Sequence, residues 1–118
     1  MNFLAVFIGG GLGSILRYGI SLLISKDLTH FPLATFISNL LACIILASLV
    51  KLSLKGEIES KMMLLAATGF CGGFSTFSTF SLENIELIKT GHFGVAILNA
   101  VVSVVICGIA MHLILSSK

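Results

Sequence analysis

Apolar residues fall in four long runs along this chain, at about positions 3–24, 33–54, 62–82 and 93–115, and the charged residues gather mostly between them. Each run is 21 to 23 residues long, enough at about 1.5 Å per helical residue to cross a hydrocarbon layer roughly 30 Å thick. The runs are apolar nearly all round, whereas helices of a soluble bundle keep a polar face at helical period. The pattern therefore predicts an all-α integral membrane protein with four transmembrane helices in one domain, residues 1–118. The first run is too long for the apolar part of a signal peptide and lacks a basic leader and a small-residue cleavage site.

Composition strengthens that reading. Hydrophobic residues make up 57% of the 118, charged residues 10%, and the mean hydropathy is +1.13, far from soluble averages. The connecting segments are about a dozen residues at most, too short for a separate catalytic or receptor domain. The formal charge of +2 is spread over these connections and points to no nucleic acid. Cys43, Cys71 and Cys107 all lie inside runs and lack CxxC spacing, so they read as packing residues rather than disulfide or metal ligands.

Orientation is weakly specified. Four spans put both termini on one side, with Lys51, Lys55, Lys61 and Lys118; the other side has Lys26 and Lys89, plus Arg17 if it snorkels outward. Four against three is almost no bias under the positive-inside rule, and it permits insertion both ways round. Arg17 is otherwise a charge within a span, to be read as a structural tie or as an attractor of anions.

The most unusual stretch is 69–81, where three glycines, five hydroxyl side chains and four phenylalanines share thirteen residues of a membrane-length run. Hydroxyls at that depth need partners, and glycines allow either close helix packing or a break that exposes backbone groups. The spacing of Gly69 and Gly73, like that of Gly9 and Gly13, fits a GxxxG contact and leaves both readings open. Phe74, Phe77 and Phe80 are spaced to form one row on a continuous helix. Thr35, Ser38 and Asn39 share a face of the second span, and Asn39 is either an interhelical clasp or a pore ligand. Asn99, Ser103 and Cys107 make a mildly polar stripe on the fourth. All five acidic residues (Asp27, Glu57, Glu59, Glu83, Glu86) lie outside the spans or at their ends. A titratable carboxylate within the membrane, as a cation or proton antiporter needs, is thus missing. Amides, hydroxyls and the positive edges of phenyl rings suit a small anion instead, since they replace its water without a fixed counter-charge to trap it.

Three separated blocks resemble the Fluc/CrcB family of small fluoride channels. They are Gly9-Gly10-Gly11-Leu12-Gly13-Ser14 with Arg17-Tyr18, then Asn39, then the block from Gly72 to Ser81 with Glu83. The resemblance implies a passive fluoride-selective channel that exports cytoplasmic fluoride from the bacterial plasma (inner) membrane. It implies an antiparallel, dual-topology homodimer with two pores, and a third helix broken mid-membrane. Phe77 and Phe80 would face fluoride with Asn39; Ser78, Thr79, Ser103 and Asn99 would line the pathway; Arg17 and Glu83 would stand at the vestibule. A structural Na+ at the dimer centre would be held by backbone carbonyls around Gly72 and Ser75. Asn99 stands where many relatives carry an aromatic hydroxyl, Ser75 where threonine is common, and Cys107 where serine could continue the stripe. Two other readings compete: a structural subunit of a larger membrane complex, and a small multidrug exporter, which would need a carboxylate in the first span. No nucleophile–base pair or metal cluster suggests an enzyme.

Overall fold

The computed structural model describes residues 1–24 and 30–118; Lys26 and Asp27 lie outside the described residues. The chain folds into α1 (Asn2–Leu23), α2 (Leu33–Leu54), α3 (60–74), α4 (Phe77–Lys89) and α5 (Phe93–Ser116). Within α3 the stretch Leu64–Cys71 is wound more widely, with π-type hydrogen bonding. Four helical segments are long and apolar enough to cross a membrane: Asn2–Leu23, Leu33–Leu54, Ser60–Lys89 and Phe93–Ser116. The third combines α3 and α4 and runs beyond the apolar stretch, because Glu83 and Asn84 find partners on neighbouring helices.

Local chemistry fixes the helix ends. Pro32, with no N–H to leave unpaired, precedes α2. Lys51 and Lys89 occupy the last turns of α2 and α4, where a cation complements the helix dipole. Both helices end on a left-handed glycine, Gly56 at φ 71° and Gly91 at φ 86°. After α4 the N–H of Gly91 donates to Ile88 O (3.2 Å) and that of His92 to Leu87 O (2.7 Å), and the same pattern ties Gly56 to Ser53 and Glu57 to Leu52. These are paired Schellman bonds, for which only glycine is unstrained. Gly91→Ala is expected to cost about 1 kcal/mol, read as an earlier midpoint in SDS unfolding; an unchanged midpoint would contradict that assignment.

The packing is small inside and large outside. Ala5, Ala42, Ala47 and Ala96 are buried, while Phe3, Phe7, Leu22, Leu23 and Val104 are exposed. Lipid-facing helices show this arrangement, since bulky apolar groups gain little by leaving hydrocarbon and small residues let backbones approach. The closest approach is between α1 and α3. A methyl on Gly9 would overlap the Leu65 carbonyl, one on Gly13 the Phe70 carbonyl, and one on Gly73 the Gly10 carbonyl. On Gly69 it would lie 2.8 Å from Val6 O. Both glycine pairs thus serve one interface.

Candidate functional site

Helical winding stops at Ser75 (φ −80°, ψ 158°) and Thr76 (φ −153°, ψ 121°), both extended. Two backbone groups are thereby turned away from helical partners, and the side chain of Asn39 on α2 takes both. The Thr76 N–H donates to Asn39 Oδ1 at 2.8 Å, and Asn39 Nδ2 donates to Thr76 O at 3.3 Å. Of the two roles open for Asn39, the structure displays the clasp, made to backbone, with one amide hydrogen left over. Thr76 then caps α4, its hydroxyl accepting from Thr79 N at 3.1 Å and lying 3.2 Å from Ser78 Oγ. Ser75 donates back to Cys71 O at 2.8 Å.

The interruption also disperses the aromatic row. Phe74, the last residue of α3, is 1% exposed and packs on Phe70 with ring centroids 5.6 Å apart. Phe77, three residues later but across the extended pair, is 80% exposed in the single chain. Its ring lies 5.9 Å from that of Phe80, tilted by 32°. The expected Phe74–Phe77–Phe80 row is therefore split into two pairs, buried Phe74 against half-buried Phe70 and exposed Phe77 against half-buried Phe80, because two extended residues break the helical phase.

Phe77 and Phe80 line an open cavity of about 270 Å³ with Asn39, Cys43, Ser103 and Cys107 among its walls. Ser103 is anchored from behind: its Oγ donates to Asn99 Oδ1 at 3.1 Å, and Asn99 Nδ2 donates to Asn84 Oδ1 at 2.8 Å. Asn99 is itself buried and reaches the cavity through Ser103. The relay partner Asn84 escapes a reading of sequence alone, since only the docking of α4 on α5 brings it opposite Asn99.

A second cavity, of about 200 Å³, contains Arg17, Thr35, Ser38, Thr79 and Glu83. Thr35 donates to Glu83 Oε1 at 2.8 Å. Arg17 ties α1 to α3: its Nε donates to Gly73 O at 3.2 Å, and Ser14 Oγ lies 3.4 Å from the same carbonyl. The polar face of α2 is thus divided, Thr35 and Ser38 to this cavity and Asn39 to the phenylalanine cavity. Thr79 and Ser103, grouped by the resemblance in one hydroxyl track, line different cavities. Ser78 is exposed beside Thr76.

Among the described residues no three His, Cys, Asp or Glu side chains converge on a cation site, but main-chain oxygen is at hand around Gly72 and Ser75. Their usual helical donors are diverted, the Thr76 N–H to Asn39 and the Thr79 N–H to Thr76 Oγ1. Carbonyls left in this way are the hard oxygen donors that suit an alkali cation.

A sequence model of the family described as "CrcB-like protein, Camphor Resistance (CrcB)" matches residues 4–114. The chain belongs to this family. A protein named fluoride-specific ion channel FluC from Azobacteroides pseudotrichonymphae is 45% identical over 102 residues, covering 85% of this chain and 82% of its own. Proteins of the same name from Pyrococcus abyssi and Serratia proteamaculans are each 44% identical, over 106 and 99 residues. These cover 87% and 83% of this chain, and 84% and 78% of the respective relatives. All three matches are long enough to include most of the helices that build the two cavities.

Proposed function

We propose that this CrcB-family chain is a passive, fluoride-selective ion channel that exports cytoplasmic fluoride across the bacterial plasma membrane. The observation that carries the reading is the Phe77–Phe80 pair, exposed at Phe77 and half-buried at Phe80, beside Asn39 and Ser103 in one cavity, in a chain similar to proteins named for fluoride conduction. Fluoride is small and strongly hydrated, so a conduction path must replace its water with weak donors. The remaining amide hydrogen of Asn39, the ring edges of Phe77 and Phe80, and the Ser103 hydroxyl surround one cavity and can do so. An anion there competes with Asn99 for the Ser103 proton, which keeps the contact weak enough to release. Thr79, Arg17 and Glu83 form the neighbouring vestibule, with Ser78 and Asn99 as supporting polar groups.

The working unit of this proposal is an antiparallel, dual-topology homodimer of single-domain chains with two pores, each third helix broken mid-membrane at Ser75–Thr76. A phenylalanine 80% exposed next to polar groups would be covered by a second copy, and the near-even lysine balance permits opposed insertion. The backbone carbonyls of Gly72 and Ser75 would hold a structural Na+ at the dimer centre. Such an ion supplies fixed positive charge; Arg17, bonded to Gly73 O, adds to it from the chain itself.

Phe80→Ile keeps apolar bulk and removes the ring edge. An edge contact worth about 0.5–1.5 kcal/mol implies a roughly two- to tenfold slower fluoride efflux from reconstituted liposomes, with the oligomeric state unchanged. Wild-type efflux in this variant would remove the ring from the pathway.

A further inference from the structure

Two of the three cysteines open onto the Phe77–Phe80 cavity. Cys43 on α2 and Cys107 on α5 are half-buried and belong to its wall, whereas Cys71 on α3 is 3% exposed and lies off that wall. The helices bring the two thiols together by running parallel. His30 stacks on His92 where α2 and α5 begin, and Lys51 Nζ meets Ser117 Oγ where they end. Cys43 stands one turn beyond Asn39 on α2, and Cys107 one turn beyond Ser103 on α5. Equal steps along parallel helices lead from the amide and hydroxyl to a thiol pair, and Cys107 is hydrogen-bonded to Cys43.

Adjacent thiols are a soft donor set once deprotonated. Zn2+ asks for four ligands, and among the described residues no group of three His, Cys, Asp or Glu converges on an ion. A soft d10 ion that takes two sulfurs in a line needs no third ligand. Charge decides among such ions, because both cysteines lie within membrane-crossing helices. Two thiolates on Cu+ or Ag+ leave one negative charge at that depth, which is costly. On Hg2+ they leave none.

We infer that Cys43 and Cys107 form a two-thiolate site for a soft divalent ion of the Hg2+ type in the wall of the Phe77–Phe80 cavity. On binding, both S–H bonds break, two S–Hg bonds form and two protons leave to water; no electron is transferred. The bound ion takes up space beside Asn39 and Ser103 and, on the fluoride-channel reading, obstructs the path.

The test loads the untagged, reduced full-length protein in detergent with one equivalent of Hg2+ and then challenges it with rising concentrations of a small monothiol. One Hg2+ per chain is expected to be retained, equally so in Cys71→Ala. Cys43→Ser and Cys107→Ser, each with one point of attachment, should release it at about a hundredfold less monothiol. No retention by the unaltered protein, or unchanged retention in either serine variant, overturns the site. X-ray absorption at the mercury edge, before the monothiol is added, needs no variant to fold. Two sulfur neighbours are expected, and a single sulfur also overturns the site. In liposomes Hg2+ should stop fluoride efflux by the unaltered chain and spare that by the serine variants, each compared with its own untreated rate. Undiminished efflux from the loaded unaltered chain overturns the obstruction. A chain that conducts no fluoride before loading fails the channel reading instead, and the site is then judged by retention.

Discussion

An Asn39→Leu chain is expected to lose both stability and fluoride conduction. Leucine keeps the branching and heavy-atom count of asparagine but offers no hydrogen bond to Thr76. The Thr76 N–H, now bonded at 2.8 Å, and its carbonyl, bonded at 3.3 Å, would both be left unpaired where water is scarce. Each such group costs about 1–3 kcal/mol, so the expected loss for the two is about 2–6 kcal/mol. Conduction suffers by a second route, because the extended residues set the phase of α4 and hence the placement of Phe77 and Phe80. Asn39→Asp separates the effects, since a carboxyl oxygen can still accept from Thr76 N–H while the donor to Thr76 O is lost unless the acid is protonated. Its SDS unfolding midpoint should fall between wild type and leucine, with slower fluoride efflux. A leucine chain with wild-type midpoint and flux would show that the clasp supports neither fold nor function.

Gly13→Ala and Gly73→Ala are expected to be more damaging than any other alanine substitution at a glycine within the helices, apart from the facing Gly9. The added methyl meets the backbone of the opposing helix, the Phe70 carbonyl in one case and the Gly10 carbonyl in the other. A flexible side chain could turn away, but a main-chain carbonyl cannot, so α1 and α3 must separate along their length. The cost should reach at least about 3 kcal/mol, seen as loss of folded protein in size-exclusion chromatography and an early SDS midpoint. Displacing Gly73 also moves the carbonyl that receives Arg17 and Ser14. The controls are Gly94→Ala and Gly108→Ala, where the new methyl meets nothing within 4 Å and helix propensity favours alanine by up to about 1 kcal/mol. A Gly13→Ala chain as stable as these controls would contradict the close α1–α3 contact.

The four helical segments were legible in the sequence because membrane-length apolar runs admit few other structures. The glycine spacing was legible only as a choice. Gly69 and Gly73 meet α1 closely, and the chain then leaves helix two residues later, so one short stretch does both things that glycines and hydroxyls allow. The phenylalanine row divides for the same reason: i, i+3 spacing predicts a shared face only while the helix is unbroken. On α2 the three polar residues do share a face, yet that face spans the boundary between two cavities, and spacing within one helix cannot reveal what stands opposite. The Asn84–Asn99 bond and the Arg17–Gly73 bond also depend on which faces of different helices meet, information that no single span contains.

Efflux from liposomes containing only the purified protein shows whether this chain conducts fluoride without a partner protein. A fluoride electrode follows release after addition of a potassium ionophore, beside an identical chloride-loaded control. Rapid fluoride efflux that requires the ionophore is expected, with no chloride efflux. Absence of fluoride efflux from well-folded protein would contradict it and move the structural-subunit reading to the front; equal efflux of both anions would contradict the selectivity.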